Sequence, residues 1–249
     1  MDGPVKTFAL LPWEHGIEKA AVVWLNSPPS PNDLDLFAKI WNSSFVRYCA
    51  DGSANTVLKY QQQYNLKSPD FCVGDFDSLA HDTRKCFEKE TTFIHTPCQD
   101  QTDFTKLLLE VTKNEDLDNV EKIIVLGGLS GRFDQTMSVI NSLLMFGNVW
   151  NGKVVPHIFV VDQNNLVMVC NTGTTLVHIP QDRQKLTGIT SFVPIMQQKT
   201  IVTTRGFKWD VVDQEICFGG LVSTSNQIDG NVLSVTTTQP ILLHFELSF

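Results

Sequence analysis

The sequence has no C-x-x-C pair and no His/Cys cluster at zinc spacing, although it carries Cys49, Cys72, Cys86, Cys98, Cys170 and Cys217. Zinc sites of the usual spacing are thereby excluded. Several of these cysteines lie in apolar runs, where a free thiol behaves as a small hydrophobe, and reduced cysteines imply a reducing compartment. No apolar stretch approaches the ~18 residues of a membrane helix. The apolar run near the start, Phe8 to Leu11, stops at Pro12 and follows Asp2, unlike a signal peptide. The expectation is a soluble, cytoplasmic protein with no membrane partner. Basic residues are scarce, 19 Lys+Arg against 27 Asp+Glu for a net charge of −8, which argues against a nucleic-acid partner. Neither G-x-x-x-x-G-K-[ST] nor G-x-G-x-x-G occurs, so the common nucleotide fingerprints are absent. There is no internal repeat and no low-complexity segment; "NSPPSPND", residues 26–33, is a short Pro-rich loop.

What is present is ordinary globular material. The 249 residues suit one large domain or two small ones, and 42% hydrophobic with 18% charged residues is ample for a core. The first part alternates. Strand-like runs at Ala20–Leu25, Phe45–Ala50, Asp70–Val73, Thr91–His95 and Lys122–Leu126 are interleaved with helix-like stretches at Leu34–Trp41, Leu79–Glu90 and Asp103–Lys113. In the last of these, Phe104, Leu107, Leu108 and Val111 form a core stripe. This pattern predicts an α/β domain with a mostly parallel sheet, residues 1–152. Beyond it, candidate strands follow one another without helices: His157–Val161, Leu166–Val169, Thr174–Ile179, Gly188–Val193, Thr200–Thr204, Phe207–Val211, Leu221–Ser223, Val232–Thr237 and Ile241–Leu247. Residues 153–249 are therefore expected to form an all-β sandwich domain.

The acids fall where the strands end. Phe45–Ala50 leads into "DGSAN", Phe71–Val73 into "GDFDS", Thr91–His95 into "TPCQDQTD" and Ile123–Leu126 into "GGLSGRFDQ". In a parallel sheet these ends share one edge, the edge at which open α/β sheets bind ligands. Asp51, Asp75, Asp77, Asp100, Asp103 and Asp134 are thus expected to converge. Two carboxylates about 4 Å apart repel by about 4 kcal/mol at an effective dielectric near 20, so a gathering of them calls for a hard cation such as Mg²⁺ held against phosphates. Taken singly, Asp103 and Asp134 could equally be helix caps.

"VLGGLSGRFDQTMSVINSLL" reads as strand, glycine loop and helix, with Met137, Ile140, Leu143 and Leu144 as the helix's core stripe. Glycines and a helix N-terminus favour an anion, and Arg132 offers a fork of donors for phosphate. The ordinary alternative for Gly127, Gly128 and Gly131 is a tight βα turn. Lys106 could reach the same crevice, although such a lysine is more often a solvated helix residue.

Together these motifs resemble those of thiamine pyrophosphokinases of the eukaryotic type. The resemblance rests on "CADGSAN" (49–55), "GDFDS" (74–78), "DQTDFTK" (100–106), "LGGLSGRFDQ" (126–135), "TTRGFKW" (203–209) and "LVSTSN" (221–226), in this order along nearly the whole chain. It implies an N-terminal α/β domain, a C-terminal β-sandwich and a homodimer with the active site at the interface. It implies attack of thiamine's hydroxyl on the β-phosphorus of ATP, giving thiamine diphosphate and AMP, with Mg²⁺ as cofactor. By position, Asp75, Asp77 and Asp103 match the metal-binding acids. Asp51, Asn55, Gly127, Gly128, Arg132 and Asp134 match the ATP side. Gln99, Trp209, Ser223 and Ser225 match the thiamine side, with Asn226 as a support. Asp77 or Asp100 would accept the hydroxyl proton, and Arg132 and Lys106 would stabilise the transferred charge. The sequence departs from the family's pattern at Ser53, Cys98 and Gln101.

Trp209 could instead be a buried sandwich tryptophan, and its face would otherwise suit a cationic thiazolium ring. Ser223 and Ser225 alternate on one strand face, so both could point to the same ligand, though without the resemblance they would be ordinary strand serines. Two other functions fit parts of the pattern. One is a phosphatase with an Asp-x-Asp nucleophile; against it, "GDFDS" follows the third strand-like run and no downstream acidic pair completes the site. The other is a thiamine- or nucleotide-binding sensor without turnover.

Overall fold

The computed structural model describes residues 5–98, 100–113, 120–149 and 156–248. It divides into two compact units, one of residues 16–163 and one joining residues 5–15 to 164–248. The division differs from the expected 1–152 and 153–249 at both ends. Strand β1 (Lys6–Ala9) pairs in parallel with a strand of the β unit, Lys6 opposite Thr175. At the other end, the strand His157–Asp162 lies parallel to Lys122–Leu126 and completes the α/β unit.

The α/β unit is built on β2 (Ala20–Trp24), β3 (Val46–Ala50), β4 (Phe71–Gly74), β5 (Thr92–His95), β6 (Lys122–Leu126) and β7 (His157–Asp162), all parallel, in the order β7-β6-β2-β3-β4-β5. The central strand β2, "AAVVW", is buried along its whole length, as a strand covered on both faces must be. The strand order runs outward from β2 to β5 and then restarts on β2's other side with β6. The loops after β2 and β6 therefore part at a topological switch point, where such sheets leave a crevice.

The helices are α1 (Leu34–Ser43), α2 (Ser53–Tyr64), α3 (His81–Phe87), α4 (Asp103–Lys113) and α5 (Phe133–Val149). Helix α1 buries Phe37 and Trp41 edge-on against Trp24, with ring centroids 5.5 and 5.4 Å away. Helix α4 buries the expected stripe of Phe104, Leu107, Leu108 and Val111. The stripe of α5 is not the expected one. Val139, Ser142, Leu143 and Phe146 face inward while Met137 is exposed. Ser142 can occupy that inner face because its hydroxyl meets Thr105 Oγ1 of α4 at 2.7 Å and also donates to the Ser138 carbonyl.

The β unit contains one sheet in the order β1-β9-β14-β11-β12, formed by β1 with Gly173–His178, Val232–Thr237, Thr200–Arg205 and Gln214–Ile216 (β9, β14, β11 and β12). Four further strands, β8 (Asn165–Cys170), β10 (Leu186–Pro194), β13 (Ser223–Gln227) and β15 (Ile241–Leu247), pair in the order β13-β10-β15-β8. Phe192 of β10 packs edge-on against Phe207 beyond β11, at 5.7 Å. The expected strand Phe207–Val211 is not formed. It is a turn held by Asp210, whose carboxylate accepts from the N–H groups of Gly206 and Phe207 and from Thr204 Oγ1. All six cysteines are free.

Candidate functional site

The loops after β2, β4 and β6 and the segment before α4 open onto one cleft of about 820 Å³, with Ser27, Asp75, Asp77, Asp100, Asp103 and Arg132 among its lining. Of the six acids expected to converge, Asp75, Asp77, Asp100 and Asp103 line this cleft and Asp134 does not. Within it, carboxylate oxygens of Asp51, Asp75 and Asp103 come within 4.8 Å of one another.

Asp51, expected on the ATP side, is a member of this group, and Asp77, expected among the metal acids, is not. The reason is local. Phe76 between the two acids of "GDFDS" has φ 66°, a left-handed turn that sends successive side chains in different directions. Its ring is held in place by His95, stacked at 5.7 Å, and by the Arg84 guanidinium at 5.1 Å. Asp77 instead accepts from Ser78 Oγ at 2.8 Å, and its N–H donates to Asp75 Oδ1 at 3.2 Å. Asp51 enters the cluster through its own positive φ of 43°. Gly74 makes room for it, since a Cβ there would lie 2.7 Å from the Asp51 Cβ.

Asp51 is buried. Oδ2 accepts the Ser78 N–H at 3.2 Å, whereas Oδ1 has no hydrogen-bond partner. Burial pushes its carboxyl up from the usual range, against the pull of the Gly52 and Ser78 N–H groups, and the Asp103 charge pushes it further up. Asp103 is not the cap of α4. Thr102 takes that role, its Oγ1 accepting the Thr105 N–H at 3.3 Å, which leaves the Asp103 carboxylate for the cluster.

Lys106 is not a solvated helix lysine. It is 4% exposed, with Nζ 2.6 Å from Asp103 Oδ1 and 3.9 Å from Asp75 Oδ2. It also donates to the carbonyls of Thr96 and Cys98, both at 3.2 Å. The ammonium is thus fixed between two members of the acid group and the loop after β5. Buried charge of this kind persists only when paired and hydrogen-bonded.

On the expected ATP side, Arg132 and Asp134 pair with each other, Nε to Oδ1 at 3.1 Å and Nη2 to Oδ2 at 2.5 Å. Both are exposed, and Arg132 stands on the cleft's rim. The pairing holds the guanidinium's charge and lowers the Asp134 carboxyl. Gly127 and Gly128 have φ 86° and 97°, and a Cβ on Gly128 would lie 2.6 Å from Leu25 Cδ1, so the turn needs both glycines. Ser27 Oγ accepts the Gly128 N–H at 3.0 Å. That serine lies in the Pro-rich segment, which carries no motif to mark it. Asn55 is spent on the fold: its Nδ2 donates to the Ser78 carbonyl at 2.8 Å and its Oδ1 accepts the Ala80 N–H at 3.1 Å, tying α2 to the acid loop. Asp100 is exposed on the cleft's lining.

On the expected thiamine side, Gln99 lies outside the described residues. Trp209 is 53% exposed on a turn of the β unit, not buried in a sandwich. Asn226, 2% exposed, clamps it: Oδ1 accepts the Trp209 N–H at 3.2 Å and Nδ2 donates to the Trp209 carbonyl at 3.0 Å. The same Nδ2 lies 3.3 Å from Ser223 Oγ, and Lys208 Nζ stands 4.8 Å over the indole. Ser223 and Ser225 do not alternate on one face. The β10–β13 register passes from Thr190↔Asn226 to Phe192↔Ser223, so β13 carries an extra residue there, and Ser225 adopts φ 57°. The bulge puts Ser223 with Asn226 and leaves Ser225 exposed.

Comparison with known proteins identifies the family. A family model described as "Thiamin pyrophosphokinase, catalytic domain" matches residues 37–154, and one described as "Thiamin pyrophosphokinase, vitamin B1 binding domain" matches residues 174–242. Thiamin pyrophosphokinase 1 of Caenorhabditis elegans is 31% identical over 227 residues, covering 90% of this chain and 88% of its own. The thiamine pyrophosphokinase of Saccharomyces cerevisiae is 27% identical over 259 residues, covering 85% and 81%. The crystal structure of yeast thiamin pyrophosphokinase superposes with a TM-score of 0.83 at 25% identity, over 98% of this chain and 91% of that one. That of Candida albicans gives 0.82 at 21% identity over 100% and 95%, a likeness of fold. The paired α/β and β units, the two family matches and the worm relative together place the chain in the thiamin pyrophosphokinase family.

Proposed function

We infer that the chain transfers the pyrophosphoryl group of ATP to the primary hydroxyl of thiamine, releasing thiamine diphosphate and AMP. The observation that carries the reading is the acid group of Asp51, Asp75 and Asp103 at the carboxyl edge of the sheet, in a chain of this family. In the reaction the hydroxyl oxygen bonds to the β-phosphorus. The bond from that phosphorus to the bridging oxygen breaks, its electrons stay on the α-phosphate of AMP, and the hydroxyl proton goes to a carboxylate. Asp77, outside the acid group yet on the cleft wall, is our choice of acceptor, with Asp100 as the alternative.

The donor set fits Mg²⁺. All three groups offer oxygen, and Asp51 Oδ1 is a buried carboxylate oxygen lacking a partner. Asp51, Asp75 and Asp103 would hold the ion, which when bound supplies charge neutralisation at the phosphates. The protein's own work is positioning and electrostatics. Lys106 keeps Asp103 and Asp75 oriented, and Arg132 offers its guanidinium to the phosphates in place of Asp134. In the β unit, exposed Trp209 with Ser223 is a platform for thiamine's rings. We place the active site at the interface of a homodimer. Large apolar side chains exposed on both units, Phe133 and Met137 on one and Phe218 and Leu221 on the other, support a covered surface. Six unpaired cysteines fit a cytoplasmic setting, and no helix among the described residues is long and apolar enough to cross a membrane.

The test is to incubate the purified protein with ATP, Mg²⁺ and thiamine and to separate the nucleotides and thiamine esters in one run. Equimolar AMP and thiamine diphosphate, lost with EDTA, is the expected result. ADP with thiamine monophosphate would move the attack to the γ-phosphorus. Thiamine binding without any product would leave a sensor.

A further inference from the structure

The loop after β6 spends its amides inward. The Gly127 N–H donates to the Val161 carbonyl at 2.8 Å, the Gly128 N–H to Ser27 Oγ at 3.0 Å and the Leu129 N–H to Asp162 Oδ2 at 2.7 Å. A glycine-rich loop of this kind would ordinarily be read as a nest for phosphate. Here the consecutive amides from 127 to 129 are engaged by the protein itself, so what the loop gives a ligand is its shape and the residues that it aims.

Asp162 is the last residue of β7 and is 1% exposed. It belongs to none of the sequence motifs and takes no part in the chemistry above. Its burial pushes the carboxyl up, and the donors of Leu129 and Ser130 oppose that push. Carboxylates are rarely buried away from water unless such donors are supplied. The segment it grips lies between Gly128 (φ 97°) and Gly131 (φ 84°), a backbone path with little intrinsic preference of its own. Arg132 follows directly, its side chain on the rim of the cleft.

We propose that Asp162 is a positioning residue for the ATP side of the cleft: by holding the Leu129 N–H it fixes the path of loop 127–131 and so the place of Arg132. The ATP part of this rests on the proposed transfer reaction; the grip on the loop does not. The test uses the full-length protein and two variants. Asp162→Ala removes the acceptor, and Asp162→Asn keeps one acceptor oxygen of two. Amide hydrogen exchange is read across the chain, and KM for ATP and for thiamine are measured separately. Asp162→Ala should exchange faster in peptides spanning 127–132 and not elsewhere, and its KM for ATP should rise about tenfold, the scale of one lost hydrogen bond to a charged group. KM for thiamine should stay within about twofold on the same scale. Asp162→Asn should show smaller increases in the same two readouts. Wild-type exchange and wild-type KM for ATP in the Asn variant overturn the proposal even if the Ala variant does not fold. Faster exchange throughout the α/β unit, with both KM values rising together, also overturns it and leaves Asp162 a general stability residue. If the wild-type protein makes no AMP, the transfer reading fails, while local or global loss of protection still decides the role of Asp162.

Discussion

Asp51 stands inside the acid group and Asp77 outside it, against the roles that the family resemblance implies, and what each does is testable at single residues. Asp51→Asn and Asp75→Asn should each weaken Mn²⁺ binding, followed by electron paramagnetic resonance, and lower turnover by about 100-fold or more. Asp77→Asn should leave Mn²⁺ affinity near wild type and lower kcat alone. Equal loss of metal affinity in all three variants would return Asp77 to the ligand set. Lys106 gives a second prediction. Lys106→Met leaves Asp103 and Asp75 without their cation, and breaking a buried pair costs about 3–5 kcal/mol. Because Asp103 is about a third exposed, the lower end of that range is expected. Calorimetry should show a lowered Tm in EDTA that Mg²⁺ partly restores, since a divalent cation can replace the missing charge. A Tm deficit indifferent to Mg²⁺ would make Lys106 a packing residue.

At the scale of elements, Asn226 of β13 holds a turn it does not belong to. Asn226→Ala would strand the N–H and carbonyl of Trp209, at a cost of about 1–3 kcal/mol. KM for thiamine should rise while KM for ATP holds; a fall in stability with both KM values unchanged would separate the turn from the site. The sequence makes much of this level legible. Strands β2 to β6 and helix α4 follow from apolar runs and a 3.6-residue stripe, and the acid loops follow from where those strands stop. Helix α2 was hidden because "SANTVLKYQQQY" buries only Ser53, Ala54 and Val57, too narrow a stripe to read. The stripe of α5 differs from the one that its apolar residues predict because Ser142, a polar residue, takes an inner position through its partner Thr105 on another helix. The turn at Trp209 reads as a strand in "FKWDV", since nothing local announces that Asp210 will gather Gly206, Phe207 and Thr204. Likewise the bulge in β13 is set by its pairing with β10, and the grip of Asp162 by Leu129, far away in sequence.

At the scale of the molecule, two properties can be measured without substrate. Light scattering at micromolar concentration should report a dimer; a monomer would sink the shared site. Stability should also depend on pH through His244, whose burial lowers its pKa from the ordinary histidine value. Its ring meets Ser191 Oγ at 3.2 Å and Asn165 Oδ1 at 3.1 Å, and nearby Glu246 works against the lowering. The unfolded chain binds this proton more readily than the folded one, so the contribution is complete above about pH 6.5 and is lost as pH falls below it. His244→Gln should flatten that part of the denaturation profile.

The pairing of Lys6 with Thr175 has a consequence for how the protein is made. Strand β1 leaves the ribosome early, yet its partner β9 follows only after the entire α/β unit. At cellular synthesis rates that interval is on the order of ten seconds. The α/β unit can close meanwhile, while the first strand waits, an unpaired edge exposed to other nascent chains. Translation speed across residues 16–163 therefore sets how long that edge stays open, and a chain started at Gly16 would lose a strand from the β unit while leaving the acid cleft's own sheet complete.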